Sequence, residues 1–335
     1  MNSIKKTDHF YLIDGSGYIF RAYYALPPLS RKSDGLPTGA VSGFCSMLFK
    51  LLEESRSDDS DNKPTHFAVI FDSARKNFRN DIYSEYKANR TEAPEDLAPQ
   101  FEYIRKSVKA FNLPSIELIN YEADDLIATY AKKIIEAGAK VTVISSDKDF
   151  MQLVSDSIRL YDPMKSKVLG EKEVIEKFGV KPNQVIDVQS LAGDSSDNIP
   201  GVPGIGIKTA SELINKYKTL DILLKKAEEI PQNKRRETLL ANKDKALLSR
   251  KLVTLKDDVP VKDDLNSFIL KDVQKEKLYD FLREMEFNKL LSRAIGFYGE
   301  TGNKKIKSAN LKMESDIINV KGYESITNEK ELDKW

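Results

Sequence analysis

The chain has 335 residues, 40% hydrophobic and 31% charged, enough for one large domain or two ordinary ones. Its formal net charge of +1 hides an uneven placement of acidic and basic residues, so the sum selects no partner. One cysteine, Cys45, and two histidines, His9 and His66, exclude an intrachain disulfide and a thiolate zinc site, argue against a histidine-rich metal centre, and fit a cytoplasmic protein.

Residues 1–14 contain lysines but no long apolar run ahead of Asp14, so no secretory signal is expected. No stretch reaches the ~20 apolar residues of a membrane span. Residues 10–14 (FYLID) predict a short buried strand ending on a carboxylate. A helical pattern occupies 38–54. The polar run 55–63 (SRSDDSDNK) lacks periodicity and reads as a solvated loop. Residues 67–71 (FAVIF) predict a second strand, with Asp72 directly after it.

From 75 to 90 the chain is basic, with Phe78, Tyr83 and Tyr86 interleaved among Arg75, Lys76, Arg79, Lys87 and Arg90. Cations hold phosphates and aromatic faces stack bases, although a solvated amphipathic helix has the same pattern. A helical pattern covers 95–111, a third strand 115–119, and a helix 122–137. That helix opens on Glu122-Ala-Asp124-Asp125, where Glu122 and Asp125 share a face and Asp124 points about 100° away from Asp125. A fourth strand at 141–145 leads to Asp147-Lys-Asp149, a helical pattern covers 148–154, and a fifth strand is expected at 158–161. Strands alternating with helices predict an α/β fold around a largely parallel sheet covered on both faces, with ligands beyond the carboxyl ends of the strands.

Residues 171–300 read as mostly helical, interrupted early by two glycine-rich turns. The first carries Asp194-Ser-Ser-Asp197. The second, Gly201-Val-Pro-Gly204-Ile-Gly206-Ile-Lys208-Thr209-Ala210, precedes a helix over about 207–217. Its spacing fits neither a Walker loop nor a dinucleotide fingerprint. A helix-turn-helix type of phosphate clamp remains, in which open backbone and Lys208 take a nucleic-acid backbone. Residues 301–312 (TGNKKIKSANLK) read as a linker.

The acidic residues Asp14, Asp72, Glu122, Asp124, Asp125, Asp147, Asp149, Asp194 and Asp197 lie at or just past the ends of apolar runs. Each group alone has an ordinary explanation as a helix cap, acidic first turn or Asp-rich turn. Together they need a shared cause. Gathered anions repel and stay largely protonated unless hard divalent cations sit among them, and oxygen-only ligation favours Mg²⁺ or Mn²⁺.

The motifs in order are Asp14-Gly-Ser-Gly-Tyr-Ile-Phe-Arg21, Val69-Ile-Phe-Asp72, Tyr86-Lys87-Ala-Asn-Arg90, Glu122-Ala-Asp124-Asp125, Ser146-Asp147-Lys-Asp149, and the glycine-rich run from Gly193 to Gly206. This series resembles the 5′ nuclease domain of bacterial DNA polymerase I, a family related to flap endonucleases, over about residues 8–300. The resemblance implies a PIN-like sheet core over 1–180 with a helical arch, and a helix–three-turn–helix DNA-binding region over 181–300. Residues 313–335 resemble the start of the next, 3′–5′ exonuclease-like domain of such polymerases, here truncated.

The resemblance also implies two metal ions. Asp14, Asp72, Glu122 and Asp124 match the first site. Asp125, Asp147, Asp149 and Asp197 match the second, which Asp124 shares or lies near, with Asp194 close by. Lys87 and Arg90 match basic residues at the scissile phosphate, Tyr86 an aromatic near the terminal nucleotide, and Arg21 a further phosphate contact. Arg79, Gly201, Gly204, Gly206, Lys208 and Thr209 are the expected DNA contacts, and the family's loop at this position holds a potassium ion. The expected partners are DNA with a 5′ flap, nick or 5′ end, an RNA primer, and a polymerase module in cis in a longer chain. A nucleoid-associated monomer acting in replication and repair is expected. Two rivals compete with this reading: a metal-dependent ribonuclease with a similar acidic sheet site, and a DNA-structure-binding protein without activity.

Overall fold

The structure, a computed structural model, describes residues 4–57 and 63–301. In chain order its elements are β1 (His9–Asp14), α1 (Gly15–Ala25), α2 (Gly39–Ser57), β2 (His66–Ile70), α3 (Phe78–Ile82), α4 (Gln100–Ala110), β3 (Ser115–Ile116), α5 (Ala123–Glu136), β4 (Lys140–Ile144), a 3₁₀ turn (Lys148–Leu153), β5 (Ile158–Asp162) and β6 (Lys167–Leu169). They are followed by α6 (Glu171–Phe178), α7 (Val185–Ala192), α8 (Ile207–Tyr217), α9 (Leu220–Lys225), α10 (Asn233–Ala241), α11 (Lys243–Val253), α12 (Lys275–Glu284) and α13 (Asn288–Tyr298).

The sheet order is β3-β2-β1-β4-β5-β6, parallel from β3 to β5 with β6 antiparallel at the edge. Every residue of β2 is buried, as a parallel strand covered on both faces requires. Alternation along β1 divides the core. Phe10 and Leu12 pack with α5 on one face, and Ile13 packs with α1, α2 and α4 on the other. The connection from β1 runs to β2 on one side, while β4 lies on the other. The crevice above the carboxyl ends of β1 and β4 is therefore the topological switch point.

Several boundaries differ from the sequence reading. Helix α2 runs to Ser57, into the expected loop, through the polar residues 53–57, where Ser55 is buried and its hydroxyl donates to the Leu52 carbonyl at 2.8 Å. The rest of that loop, 58–62, lies outside the described residues. The third strand pairs only at Ser115 and Ile116, and Ile119 is 80% exposed. The expected helical arch reduces to α3 and a run of turns: Tyr83 is already extended at φ −147°, and Lys87 adopts φ 55°, so no helix continues through the segment. The strand β6 was not foreseen. Apart from Thr301, the expected linker 301–312 and the segment 313–335 lie outside the described residues. The described chain up to Tyr298 is one compact unit.

Candidate metal centre and nucleic-acid interface

Asp14 is the last residue of β1 and the N-cap of α1, where Oδ1 accepts from the Gly17 N–H at 2.8 Å and Oδ2 from the Ser145 hydroxyl at 2.8 Å. A Cβ at position 17 would stand 2.4 Å from Asp14 Oδ2, so only glycine lets the helix start this close. Asp72 follows β2, and its Oδ1 accepts from the Ala123 N–H at 2.7 Å. Strand β2 and the start of α5 are thereby fixed together. Asp147 caps the 148–153 turn through the Asp149 N–H at 2.9 Å, and Asp149 takes 2.6 Å from Gln189 Nε2 on α7.

These carboxylates act on one another. Burial raises Asp14 to about 6, only partly offset by Gly17 and Ser145, and the charges of Asp72 and Asp147 push the same way. Burial raises Asp149 to about 7, helped by Asp147. Asp124 is raised well above its ordinary range by burial and by Asp147, Asp14 and Glu122, and Asp72 is raised by burial and Glu122. The groups thus share one crevice over β1 and β4. Among the described residues, no three acidic, histidine or cysteine side chains are already drawn into a closed metal cage.

Glu122 is the hub of the rim. Its Oε1 accepts from Asn77 Nδ2 at 2.9 Å and from Lys87 Nζ. Its Oε2 accepts from the Tyr86 hydroxyl at 3.0 Å and from Arg79 Nη1 at 3.4 Å. Lys87 Nζ also lies 3.6 Å from Asp197 Oδ2, and Arg90 pairs with Asp197. Burial alone would lower the Lys87 ammonium, but Glu122, Tyr86 and Asp197 outweigh it and hold the ammonium above its usual range. Tyr86 is corrected by its burial. Its ring is 4% exposed and its hydroxyl is engaged with Glu122, so it holds that carboxylate and offers no stacking face to a nucleotide.

Two further assignments are overturned. Asp125 is fully buried, and each of its oxygens accepts twice: Oδ1 from Arg79 Nη2 (2.7 Å) and the Lys256 N–H (2.8 Å), Oδ2 from Arg79 Nη1 (2.8 Å) and the Glu122 N–H (3.2 Å). It is sealed in the core and paired bidentately with Arg79, which sets it apart from Glu122, whose side chain keeps 9% exposure at the rim and meets Arg79 only at 3.4 Å. Arg79, expected at DNA, is 1% exposed. It also donates to the carbonyls of Leu252 and Thr254. Helical spacing put Asp125 and Glu122 on one face, as foreseen, but that face meets a buried guanidinium.

Asp194 accepts from Ser196 and pairs with Lys148, whose ammonium with Ser196 outweighs burial and keeps the carboxyl low. Lys148 was missed, although it stands between two of the singled-out aspartates. With Lys177 it lines a cavity of about 340 Å³ beside Asp14, Ser145 and Asp147. Arg21 donates to the Ser146 hydroxyl at the cleft mouth.

The glycine-rich element joins α7 to α8. Gly201 has φ 57° and packs against Gly193, where a Cβ would meet backbone at 2.5 Å. Its N–H donates to Ser249, so it shapes the loop and does not face outward as expected. Gly204, Gly206 and Lys208 are exposed and Thr209 is half-buried. Gly206 caps α8 without a side chain, which leaves the first N–H groups of an 11-residue helix open toward the same surface.

Comparison with known proteins agrees with this architecture. Residues 9–179 match the family model of the 5′–3′ exonuclease N-terminal resolvase-like domain, and residues 180–276 that of the 5′–3′ exonuclease C-terminal SAM fold. A 5′–3′ exonuclease of Aquifex aeolicus is 37% identical over 296 residues, covering 88% of this chain and 98% of that protein. A DNA polymerase I of Rhizobium leguminosarum is 57% identical over 290 residues, 87% of this chain, which spans only 28% of that relative. The bacteriophage T5 flap endonuclease, solved in a pseudo-enzyme-product complex with DNA and metal ions, shares the fold with a TM-score of 0.62 at 22% identity, over 83% of this chain and 99% of that one. No helix among the described residues is long and apolar enough to cross a membrane.

Proposed function

The chain belongs to the 5′–3′ exonuclease family and is a phosphodiester-hydrolysing nuclease, and from that premise we propose that it is a structure-specific 5′ nuclease acting on DNA at 5′ ends, nicks and 5′ flaps with two divalent cations, Mg²⁺ or Mn²⁺. One observation carries the reading: mutually repelling carboxylates from β1, the β2 end, the α5 start and the 148–153 turn converge on one crevice, with Lys87 and Arg90 at its rim.

The donor set suits hard cations, because every group is an oxygen donor, and burial with like charge raises Asp14, Asp72, Asp124 and Asp149, a repulsion that a cation relieves. Asp14, Asp72, Glu122 and Asp124 would hold one ion. Asp147, Asp149 and Asp197 would hold the other, with Asp194 and its Lys148 partner beside it. When bound, the ions would acidify the attacking water and neutralise charge on the departing 3′ oxygen. Lys87 and Arg90 would neutralise the non-bridging oxygens of the scissile phosphate in the transition state. Tyr86 and Asn77 would orient Glu122, and Arg21 would take a neighbouring phosphate.

The open backbone of Gly204 and Gly206, the α8 N-terminus, Lys208 and Thr209 would grip duplex phosphates, with a potassium ion at that loop. In this reading residues 1–180 are the nuclease core and 181–300 the duplex-binding region. An RNA primer is a further substrate. A polymerase module lies in cis in a longer chain serving primer removal and nick translation, and the nuclease acts as a nucleoid-associated monomer in the cytoplasm.

The test uses 5′-labelled flapped, nicked and single-stranded DNA and RNA with and without Mg²⁺. Asp72→Asn and Asp147→Asn should each abolish cleavage while duplex binding persists. Full Mg²⁺-dependent turnover in both variants rejects the assignment.

A further inference from the structure

The segment 252–256, which closes α11, carries an unusual set of bonds. Its backbone groups are taken one after another by side chains from the acid-bearing elements. The Leu252 carbonyl accepts from Arg79 Nε at 2.9 Å and the Thr254 carbonyl from Arg79 Nη2 at 3.0 Å. The Val253 carbonyl accepts from Gln152 Nε2 at 3.0 Å, and the Leu255 N–H donates to Gln152 Oε1 at 3.0 Å. The Lys256 N–H donates to Asp125 Oδ1 at 2.8 Å. Each of these side chains has a second bond inside the acidic cleft's own scaffold. Arg79 holds Asp125 with both Nη atoms and touches Glu122 at 3.4 Å. Gln152 Nε2 also bonds the carbonyl of Asp149 at 2.9 Å.

The other side of α11 faces the glycine-rich loop. The Ser249 hydroxyl, fully buried, accepts from the Gly201 N–H at 2.9 Å, and α11 packs along α7. Helix α7 in turn carries Gln189, the donor to Asp149. One helix therefore links the proposed duplex grip to both walls of the cleft: the start of α5 through Arg79 and Asp125, and the 148–153 turn through Gln152.

We propose that the end of α11 is a tie that sets the spacing of the two carboxylate groups, with Gln152 and Arg79 as positioning residues. The inference rests on the assignment of the cleft as the cation-binding and cleavage site. The two walls carry like charges that repel, so their separation is held by whatever bridges them from behind. A peptide segment bonded to one wall through Gln152 and to the other through the paired Arg79 and Asp125 does this without adding a ligand to the cleft. A small change in that spacing alters how well both walls grip the same pair of ions and how the phosphate lies between them.

Gln152 is the gentler handle, since it is half-buried and Gln152→Met keeps the side-chain length while deleting the bonds to Val253, Leu255 and Asp149. Three measurements on the full chain decide the matter: Mn²⁺ binding to the DNA-free protein by electron paramagnetic resonance, nicked-duplex affinity by anisotropy in EDTA, and the single-turnover rate against Mn²⁺ concentration. Gln152→Met should keep duplex affinity within about twofold, weaken Mn²⁺ binding several-fold, and lower the saturated rate roughly tenfold, the scale of a small misplacement of reacting groups. Thr254→Val is the control, because the Thr254 hydroxyl bonds only the Arg250 carbonyl, within the last turn of α11 itself, at the same segment. It should leave Mn²⁺ binding and rate unchanged. Wild-type Mn²⁺ binding and rate in Gln152→Met, or equal losses in Thr254→Val, overturn the proposal. Asp72→Asn run alongside separates the layers: if it retains full turnover, the reading of the cleft itself has failed, whereas an inactive Asp72→Asn beside a fully active Gln152→Met removes only the tie.

Discussion

Arg79 and Lys87 carry the same charge on the same basic segment and end in opposite surroundings. Arg79 is sealed in the core between Asp125 and the carbonyls of Leu252 and Thr254, with its guanidinium 4.6 Å over the Phe78 ring. Lys87 is partly open, and its ammonium rests on Glu122 and Asp197 at the rim of the cleft. Removing Arg79 leaves Asp125 buried and unpaired, a loss of about 3–5 kcal/mol of stability. Under the proposed mechanism, removing Lys87 takes away a cation aimed at the reacting phosphate. Arg79→Ala should therefore lower the unfolding free energy strongly, whereas Lys87→Ala should fold normally and lose roughly 10²–10³ in single-turnover rate. Denaturant unfolding and single-turnover cleavage measured on both variants check this. A stable Arg79→Ala, or an unchanged rate in Lys87→Ala, breaks the division of roles.

Among the elements, α8 is the clearest case of a local feature with a long reach. Its N-terminus has no side-chain cap and opens beside exposed Gly204, Gly206 and Lys208. If phosphates are the missing acceptors, Lys208→Ala should weaken duplex binding and reduce the slope of log affinity against log salt by about 1; a wild-type slope denies the contact. This element was legible in the sequence because its glycines and lysine stand in one short run. So were β1, β2 and β4, whose unbroken apolar runs follow from burial on both faces, and with them Asp14, Asp72 and Asp147 at the strand ends. What stayed illegible depends on tertiary approach. Nothing local marks that Arg79 would turn inward to meet Asp125 and a carbonyl pair more than 170 residues away. Gln152, Asn77 and Gln189 are uncharged and carry no signal until their partners are in place. The three-residue, mostly exposed β6 and the five-residue α3 are too brief for any period to show.

At the scale of the whole molecule, the cleft is a place where folding opposes ionisation. The carboxyls of Asp14 and Asp149, ordinarily near 3.8, are raised by burial to about 6 and about 7, and Asp72 and Asp124 move the same way. The folded chain then keeps protons that the unfolded chain has already released. The contribution of these groups is fully present below pH 3.8 and is lost as pH rises through about 6 and 7. His66 works against this, since burial lowers its imidazole below 6.5, and its contribution is lost as pH falls. The raw pH profile of stability therefore mixes two signs, but the difference between cation-loaded and cation-free protein does not, because His66 is buried in the sheet away from the cleft and titrates alike in both. The same cations that would serve cleavage should relieve the carboxylate repulsion, and only where the carboxylates are charged. Melting curves in EDTA and in excess Mg²⁺ should differ by several degrees near pH 7.5 and converge toward pH 4–5. In the Asp14→Asn, Asp149→Asn double variant the EDTA curve should rise toward the Mg²⁺ curve at pH 7.5, since the strain is removed by substitution instead of by ligation. A Mg²⁺ effect equally large at pH 4–5, or a double variant that melts lower than the parent in EDTA, would mean that the gathered carboxylates are not what cations stabilise in this fold.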